Sequence, residues 1–220
     1  MTAPTIPHTV PVVHIDVVSD VICPWCFIGK RRLEKAIAAL ASTQQCVVRW
    51  LPFQLNPEMP ISGMPRAAYR SAKFGSIEKA QALDARMSAE AAREGLTFDF
   101  SRVTITPNTQ LAHQLIAYAQ TKQVGDGVVE DIFSAYFLQG RDVGSRDELL
   151  QIAQRSGLEA ARVTAMWDAG AVARDVAETE QQMRALDISG VPFFILERKL
   201  GVSGAQAPEA LMAAIRQASN

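Results

Sequence analysis

The chain has 220 residues, 48% of them hydrophobic and 20% charged, with a net charge of −1. Those values fit a globular protein of one large domain or two small ones, whose core needs no disulfide framework. They provide no global field toward nucleic acid or an anionic membrane, aromatic residues are not interleaved with basic clusters, and no apolar run is long enough to span a bilayer.

The leader, Met1 to Thr9, has neither a positive start nor a continuous apolar stretch, so it does not read as a secretory signal. It is expected to be a mobile arm on a soluble, cytoplasmic protein. Residues 10–19 are rich in Val and Ile and read as a buried strand. Residues 29–40 read as a helix, with Cys26, Gly29, Leu33, Ala36, Ile37 and Leu40 on one stripe and Lys30, Arg31, Glu34 and Lys35 mostly opposite. The cations Lys30, Arg31 and Arg32 are expected to form a solvated face. Residues 46–53 read as a second strand, and β-α-β favours a parallel pair with a crossover helix.

From Asn56 to about Met166 the pattern turns helical after a loop with Pro57, Pro60, Gly63 and Pro65. Ser76 can cap a helix ending near Gly95, and Asn108 or Thr109 can cap another carrying Leu111, Leu115 and Tyr118. Residues 128–138 form a third, ending at Gly140. Ser145 and Glu148 have the spacing of a capping box before Leu149, Leu150 and Ile152. Residues 171–186 are a further helix. Gly190-Val191-Pro192 then leads into a strand at 193–196, a turn at 197–199 and a return through 200–203. Pro208 suits the first turn of a closing helix over 208–217. A β-α-β unit and a β-β-α unit separated by helices predict one α/β domain with a helical insertion.

Three cysteines, Cys23, Cys26 and Cys46, are too few for a disulfide framework. The Cys23-Pro24-Trp25-Cys26 run falls between a strand and a helix. A helix N-terminus carries partial positive charge and free N–H groups, both of which stabilise a thiolate. Cys23, at the very start, gains most and is the natural attacking thiol. Cys26, one turn later on the apolar stripe, is expected to be less exposed and suited to resolving a mixed disulfide. Pro24 removes an N–H that the first turn cannot use, and Trp25 offers an apolar surface beside the sulfur. A zinc half-site is the main rival, but it needs a second ligand pair. Only Cys46, His8, His14 and His113 are available, and none has paired spacing. Two inert buried cysteines are the third reading. Cys46 reads as a small core residue, and His113 as a core histidine with a satisfied hydrogen bond.

The stretch from Asp16 to Lys30, with Ser19-Asp20-Val21-Ile22-Cys23-Pro24-Trp25-Cys26 at its centre, resembles the DsbA family, and most closely its cytoplasmic, FrnE-like branch. Gly190-Val191-Pro192-Phe193-Phe194 resembles that family's cis-proline loop. Val202-Ser203-Gly204-Ala205-Gln206 and Asn108-Thr109 with Ala112-His113 resemble further segments. The resemblance implies a thioredoxin-like fold with a large all-helical insertion: 10–54 and 167–220 as the thioredoxin-like domain, 55–166 as the inserted one. It also implies a cis Pro192 facing the cysteines, where an X-Pro bond is otherwise trans by default. Val191 is then free to pair its backbone with an extended substrate. A functional reading of Asn108 and His113 places both along the substrate groove.

The expected chemistry is thiol–disulfide exchange through Cys23 and Cys26 with protein or glutathione substrates. It needs no bound cofactor and no metal, and uses glutathione only as a co-substrate. The insertion could support a homodimer. Kappa-class glutathione transferases and hydroxychromene-carboxylate isomerases are similar in architecture but carry serine in place of the first cysteine. A client-binding accessory protein without redox chemistry is the remaining alternative.

Overall fold

The computed structural model describes residues 10–219, so the leader and its expected mobility lie outside the described residues. Strand β1 (Val12–Ser19) lies inside a four-stranded sheet of order β2-β1-β5-β6. It runs parallel to β2 (Gln45–Pro52), in register from Val12 opposite Gln45 to Ser19 opposite Pro52. On its other edge it is antiparallel to β5 (Phe193–Leu196), which pairs antiparallel with β6 (Leu200–Ser203). Because successive side chains point to opposite faces, the central strand serves two cores. Val13, Ile15 and Val17 join the larger cluster, while Val18 joins Leu51, Phe53, Met183 and Ile188 on the reverse face. This is the α/β, thioredoxin-like arrangement with helices inserted between its halves.

Helix α1 (Pro24–Leu40) starts five residues earlier than the apolar stripe alone predicts. Pro24 has the fixed φ that suits a first turn, and Cys23 is the N-cap residue. The element packs on the closing helix, Pro208–Ala218. Between β2 and β5 the chain forms a short β3–β4 pair (Met64–Pro65 with Ile105–Thr106) and helices α2 (Arg66–Phe74), α3 (Ile77–Arg93), α4 (Gln110–Thr121), α5 (Gly125–Phe137), α6 (Arg146–Arg155), α7 (Ala160–Ala169) and α8 (Ala171–Ala185). The closing helix is α9. Helices α2 and α7 escape the pattern reading for a physical reason. Helix α2 buries no residue fully and α7 only Val163 and Trp167, so neither carries a run of large core residues. Among the described residues no helix is long and apolar enough to cross a membrane.

Capping departs from the sequence reading in two places. Ser76 does accept a bond from the Lys79 N–H at 3.2 Å. Ser145, however, makes no side-chain cap, because Glu148 is buried and turned to Arg141 at 2.8 Å. Thr109 takes the N-cap position of α4, and its side chain does not cap. Asn108 Oδ1 instead accepts from the Gln110 N–H at 2.9 Å.

The cationic side of α1 is not solvated, which corrects the expectation for Lys30, Arg31 and Arg32. Lys30 is only 3% exposed and meets Glu34 of its own helix and Asp126 and Glu130 of α5. Arg31 pairs with Glu34 and Glu130. Arg32 pairs with Glu90 and Glu94 beside α3 and donates to the Ala205 carbonyl at 2.6 Å. Next to Cys26, Phe27 stacks on Phe133 of α5 at 5.0 Å and on Phe98 at 5.9 Å. One helix face thus locks the inserted helices to the sheet by both charge and aromatic packing.

Burial pushes the Lys30 ammonium down, but Glu34, Asp126 and Glu130 outweigh it and hold it above its usual value. Burial pushes the Glu130 carboxyl up, but Arg31 and Lys30 outweigh that and hold it below the ordinary 4.5. A carboxyl with a depressed folded-state pKa contributes stability above its unfolded value and loses it as pH falls through the folded one. Glu130→Gln is therefore expected to lower stability by about 1–2 kcal/mol at pH 7 and by nearly nothing near pH 3. Urea unfolding of both proteins at the two pH values checks this, and a difference that persists at pH 3 contradicts the assignment.

Candidate active site

The two cysteines occupy different surroundings one helical turn apart. The Cys23 N–H is held by the Asp20 carbonyl at 3.0 Å, and the Cys26 N–H by the Cys23 carbonyl at 3.0 Å. The Cys23 thiol donates toward the Val191 carbonyl at 3.5 Å. Both thiols are buried, Cys23 at 5% exposed and Cys26 at 1%. Burial of Cys26, followed by the hydrogen bond and charge of Cys23, pushes the Cys26 thiol well above the usual range, against weaker opposition from Ser19 and Asp20. Both cysteines are thiols, and Cys46 is a half-buried thiol on β2, raised by burial.

The Val191–Pro192 peptide is cis, as the resemblance implies. Pro192 is buried, its carbonyl accepts from the Gly204 N–H at 2.8 Å, and its ring lies over α1. A Cβ on Gly29 would stand 2.9 Å from Pro192 Cγ and 3.4 Å from Phe194 Cζ. The close approach of helix and loop therefore requires glycine at this position. It also carries Val191 to the mouth of the site.

A cleft of about 430 Å³ opens at this point. Cys23, Pro24, Trp25 and Val191 line it, together with side chains of α2, α3 and α5. Asn108 and His113 are not among its lining residues. The Asn108 amide donates to the Met59 carbonyl at 2.7 Å. His113 is buried beside a much smaller cavity with Ser19, Val21 and Trp50. Its burial fits a core histidine, but its hydrogen bond is not satisfied. Nε2 lies 3.4 Å from Asp20 Oδ1, and neither atom has a hydrogen-bond partner.

Asp20 is the residue that pattern reading overlooks. It is fully buried three positions before Cys23, and its Oδ2 accepts the Leu55 N–H at 2.8 Å. Its carbonyl holds Cys23, so this one residue ties the cysteine loop to the segment leaving β2. An aspartate after a strand ordinarily reads as a solvated turn residue. Only a partner 93 positions away, His113, marks it as buried. Among the described residues no three His, Cys, Asp or Glu side chains cluster so as to hold a metal ion.

Residues 14–216 match the profile of the DSBA-like thioredoxin domain. The chain belongs to the DsbA-like family. It is similar to the crystal structure of a probable DsbA oxidoreductase from Streptomyces coelicolor, with 33% identity, a TM-score of 0.84, and coverage of 94% of this chain and 89% of that one. It is similar to the uncharacterized protein YwbO of Bacillus subtilis (strain 168), at 27% identity over 189 residues, 84% of this chain and 86% of YwbO. It shares its fold with the cytosolic disulfide reductase DsbM of Pseudomonas aeruginosa, solved with GSH, at 20% identity and a TM-score of 0.62, covering 93% of this chain and 98% of DsbM.

Two outcomes follow for this DsbA-like site. In the reduced native protein, iodoacetamide at pH 8 is expected to modify Cys23 at least ~10-fold faster than Cys26, whose thiol is buried and stays protonated. Peptide mapping of a time course checks this, and equal rates contradict the asymmetry. Gly29→Ala places a methyl against Pro192, and the clash is expected to cost roughly 1–3 kcal/mol despite alanine's better helix propensity. Urea unfolding reads the loss, and unchanged or increased stability shows that the loop yields.

Proposed function

We propose that the protein is a thiol–disulfide oxidoreductase of the cytoplasmic, FrnE-like type that cycles Cys23 and Cys26 between dithiol and disulfide. The observation that carries this reading is the asymmetric pair at the start of α1. Cys23 faces the cleft from the N-cap, with its sulfur 3.5 Å from the Val191 carbonyl, and Cys26 is sealed behind it. The family membership and the likeness to a probable DsbA oxidoreductase support it.

In the reducing direction the Cys23 thiolate attacks one sulfur of a substrate disulfide. That S–S bond breaks, a Cys23–substrate mixed disulfide forms, and the other substrate sulfur departs with the electron pair and takes a proton. Cys26 then loses its proton and attacks Cys23, giving the Cys23–Cys26 disulfide and a second substrate thiol. The protein is oxidised by two electrons and the substrate reduced by two. The oxidising direction reverses each step. Pro24 and Trp25 flank the attacking sulfur, and the Val191 backbone, just ahead of the paired part of β5, can pair with a substrate main chain. Substrates are protein disulfides or thiols and glutathione. The sulfurs carry the electrons, so no bound cofactor enters.

Equilibration in glutathione buffers of graded potential, acid quenching and mass-tag alkylation count the free thiols. A reversible two-thiol transition lost in both Cys23→Ser and Cys26→Ser is expected, and a Cys26→Ser variant is expected to accumulate mixed disulfides at Cys23. No disulfide at any potential rejects the reading in favour of glutathione transferase or isomerase chemistry.

A further inference from the structure

The cleft that Cys23 lines has a basic wall. Arg66, Arg70 and Lys73 of α2 and Arg86 of α3 all line it, and no aspartate or glutamate does. This concentration is local, because the whole chain carries a net charge of −1. Behind the wall, Asp84 binds Arg66 through both oxygens at 2.9 Å and Arg70 at 2.5 Å. Arg66 and Arg70 are further held over the rings of Phe100 and Phe74. Their place is structural, and one carboxylate offsets one of the four positive charges.

Lys73 and Arg86 are different. Among the described residues neither pairs with a carboxylate, and both are exposed at the cleft. Lys73 donates to the Tyr69 hydroxyl at 2.6 Å, and Tyr69 in turn donates to Asn56 Oδ1 at 2.6 Å. This chain of donors ends without an anion. Two more donors, Asn56 Nδ2 and Arg70 Nε, are buried there with no acceptor. A cleft with surplus donors and about three uncompensated positive charges, beside a nucleophilic sulfur, is complementary to an anion. Its volume of about 430 Å³ suits a small molecule rather than a folded client.

We propose that this cleft binds a small disulfide bearing two or more carboxylates, seated with one sulfur at Cys23 and its carboxylates on Lys73 and Arg86. The proposal rests on the dithiol reading above and adds to it the residues that select an anionic substrate, Lys73 and Arg86. The bonds made and broken are those already described: the anionic disulfide gains two electrons and two protons and leaves as two thiols, while Cys23 and Cys26 become a disulfide.

The test is a single-turnover reaction of the pre-reduced protein with three disulfides that differ in charge. They are glutathione disulfide (anionic), 2-hydroxyethyl disulfide (neutral) and cystamine (cationic). Each rate constant is divided by that of the same disulfide with free dithiothreitol, which removes intrinsic reactivity. The normalised constants are expected to fall in the order anionic, neutral, cationic, spanning roughly 10- to 100-fold at low salt and narrowing as salt is added. Lys73→Gln and Arg86→Gln, both at exposed positions that folding tolerates, are each expected to cut the anionic-to-cationic ratio by about 3- to 10-fold. Lys122→Gln, at the end of α4, is the control and leaves the ratio as it stands. Equal normalised constants for all three disulfides overturn the anion proposal while leaving the dithiol reading intact. A scrambled-disulfide protein that reacts faster, after normalisation, than glutathione disulfide overturns the small-molecule assignment. No reaction with any disulfide overturns both readings.

Discussion

Where helix α1 crosses the loop at Val191–Pro192, no side chain separates the two. The ring of Pro192 occupies the space that a Cβ on Gly29 would need. That contact fixes the height of the loop over the helix, and so the distance from Cys23 to the Val191 carbonyl. The loop is anchored from its far side by the bond from Gly204 to the Pro192 carbonyl and by the pairing of β5 with β1 and β6. The helix is anchored by Phe27 and Leu33 in the core. A site of this kind needs its reacting groups held by rigid elements, and here both elements are held independently of the cleft.

The charged face of α1 performs a second task. Three consecutive cations at positions 30–32 look like a solubilising strip until the carboxylates that surround them are known. Asp126 and Glu130 come from α5, and Glu90 and Glu94 from α3 and its cap. Buried ion pairs are weak evidence for net stability, because desolvation offsets much of the attraction. Their use here is geometric: charges with a limited set of partners accept few alternative dockings of the inserted helices. The cleft lies between those helices and the cysteine loop, so its width depends on this docking.

How legible this was in the sequence depends on how local each feature is. The strands at 12–19 and 193–203, the helix after the cysteines and the Ser76 cap follow from periodicity and turn chemistry within a few residues. The cysteine pair at the start of α1 was legible from its spacing and position, and the cis Pro192 loop from family likeness. Asp20 and His113 could not be read this way. Each is an ordinary polar residue in its own segment and becomes a buried pair only through a contact across 93 positions. The Ser145–Glu148 spacing misleads for the converse reason, since Arg141 and Arg155 compete for the glutamate and draw it away from the cap. The basic wall escapes the pattern reading although Arg66, Arg70 and Lys73 recur at helical i, i+4 and i+7 spacing, because α2 buries no residue fully and Arg86 joins them only through the packing of α3.

Burial also separates chemistry from selection within the site. Cys26 and Asp20 are sealed, and the groups that set their positions belong to the sheet core. Three of the four cations that line the cleft sit on α2, which buries no residue fully and is held mainly by Asp84, by stacking of its arginines on aromatic rings and by the short β3–β4 pair. Local opening is easiest where few apolar contacts must be broken. On the proposed reading the cysteines stay fixed while the exposed Lys73 and Arg86 adjust around ligands of different length. Substitutions at Lys73 and Arg86 then leave the core untouched, whereas comparable changes beside the cysteines disturb the packing around Cys26.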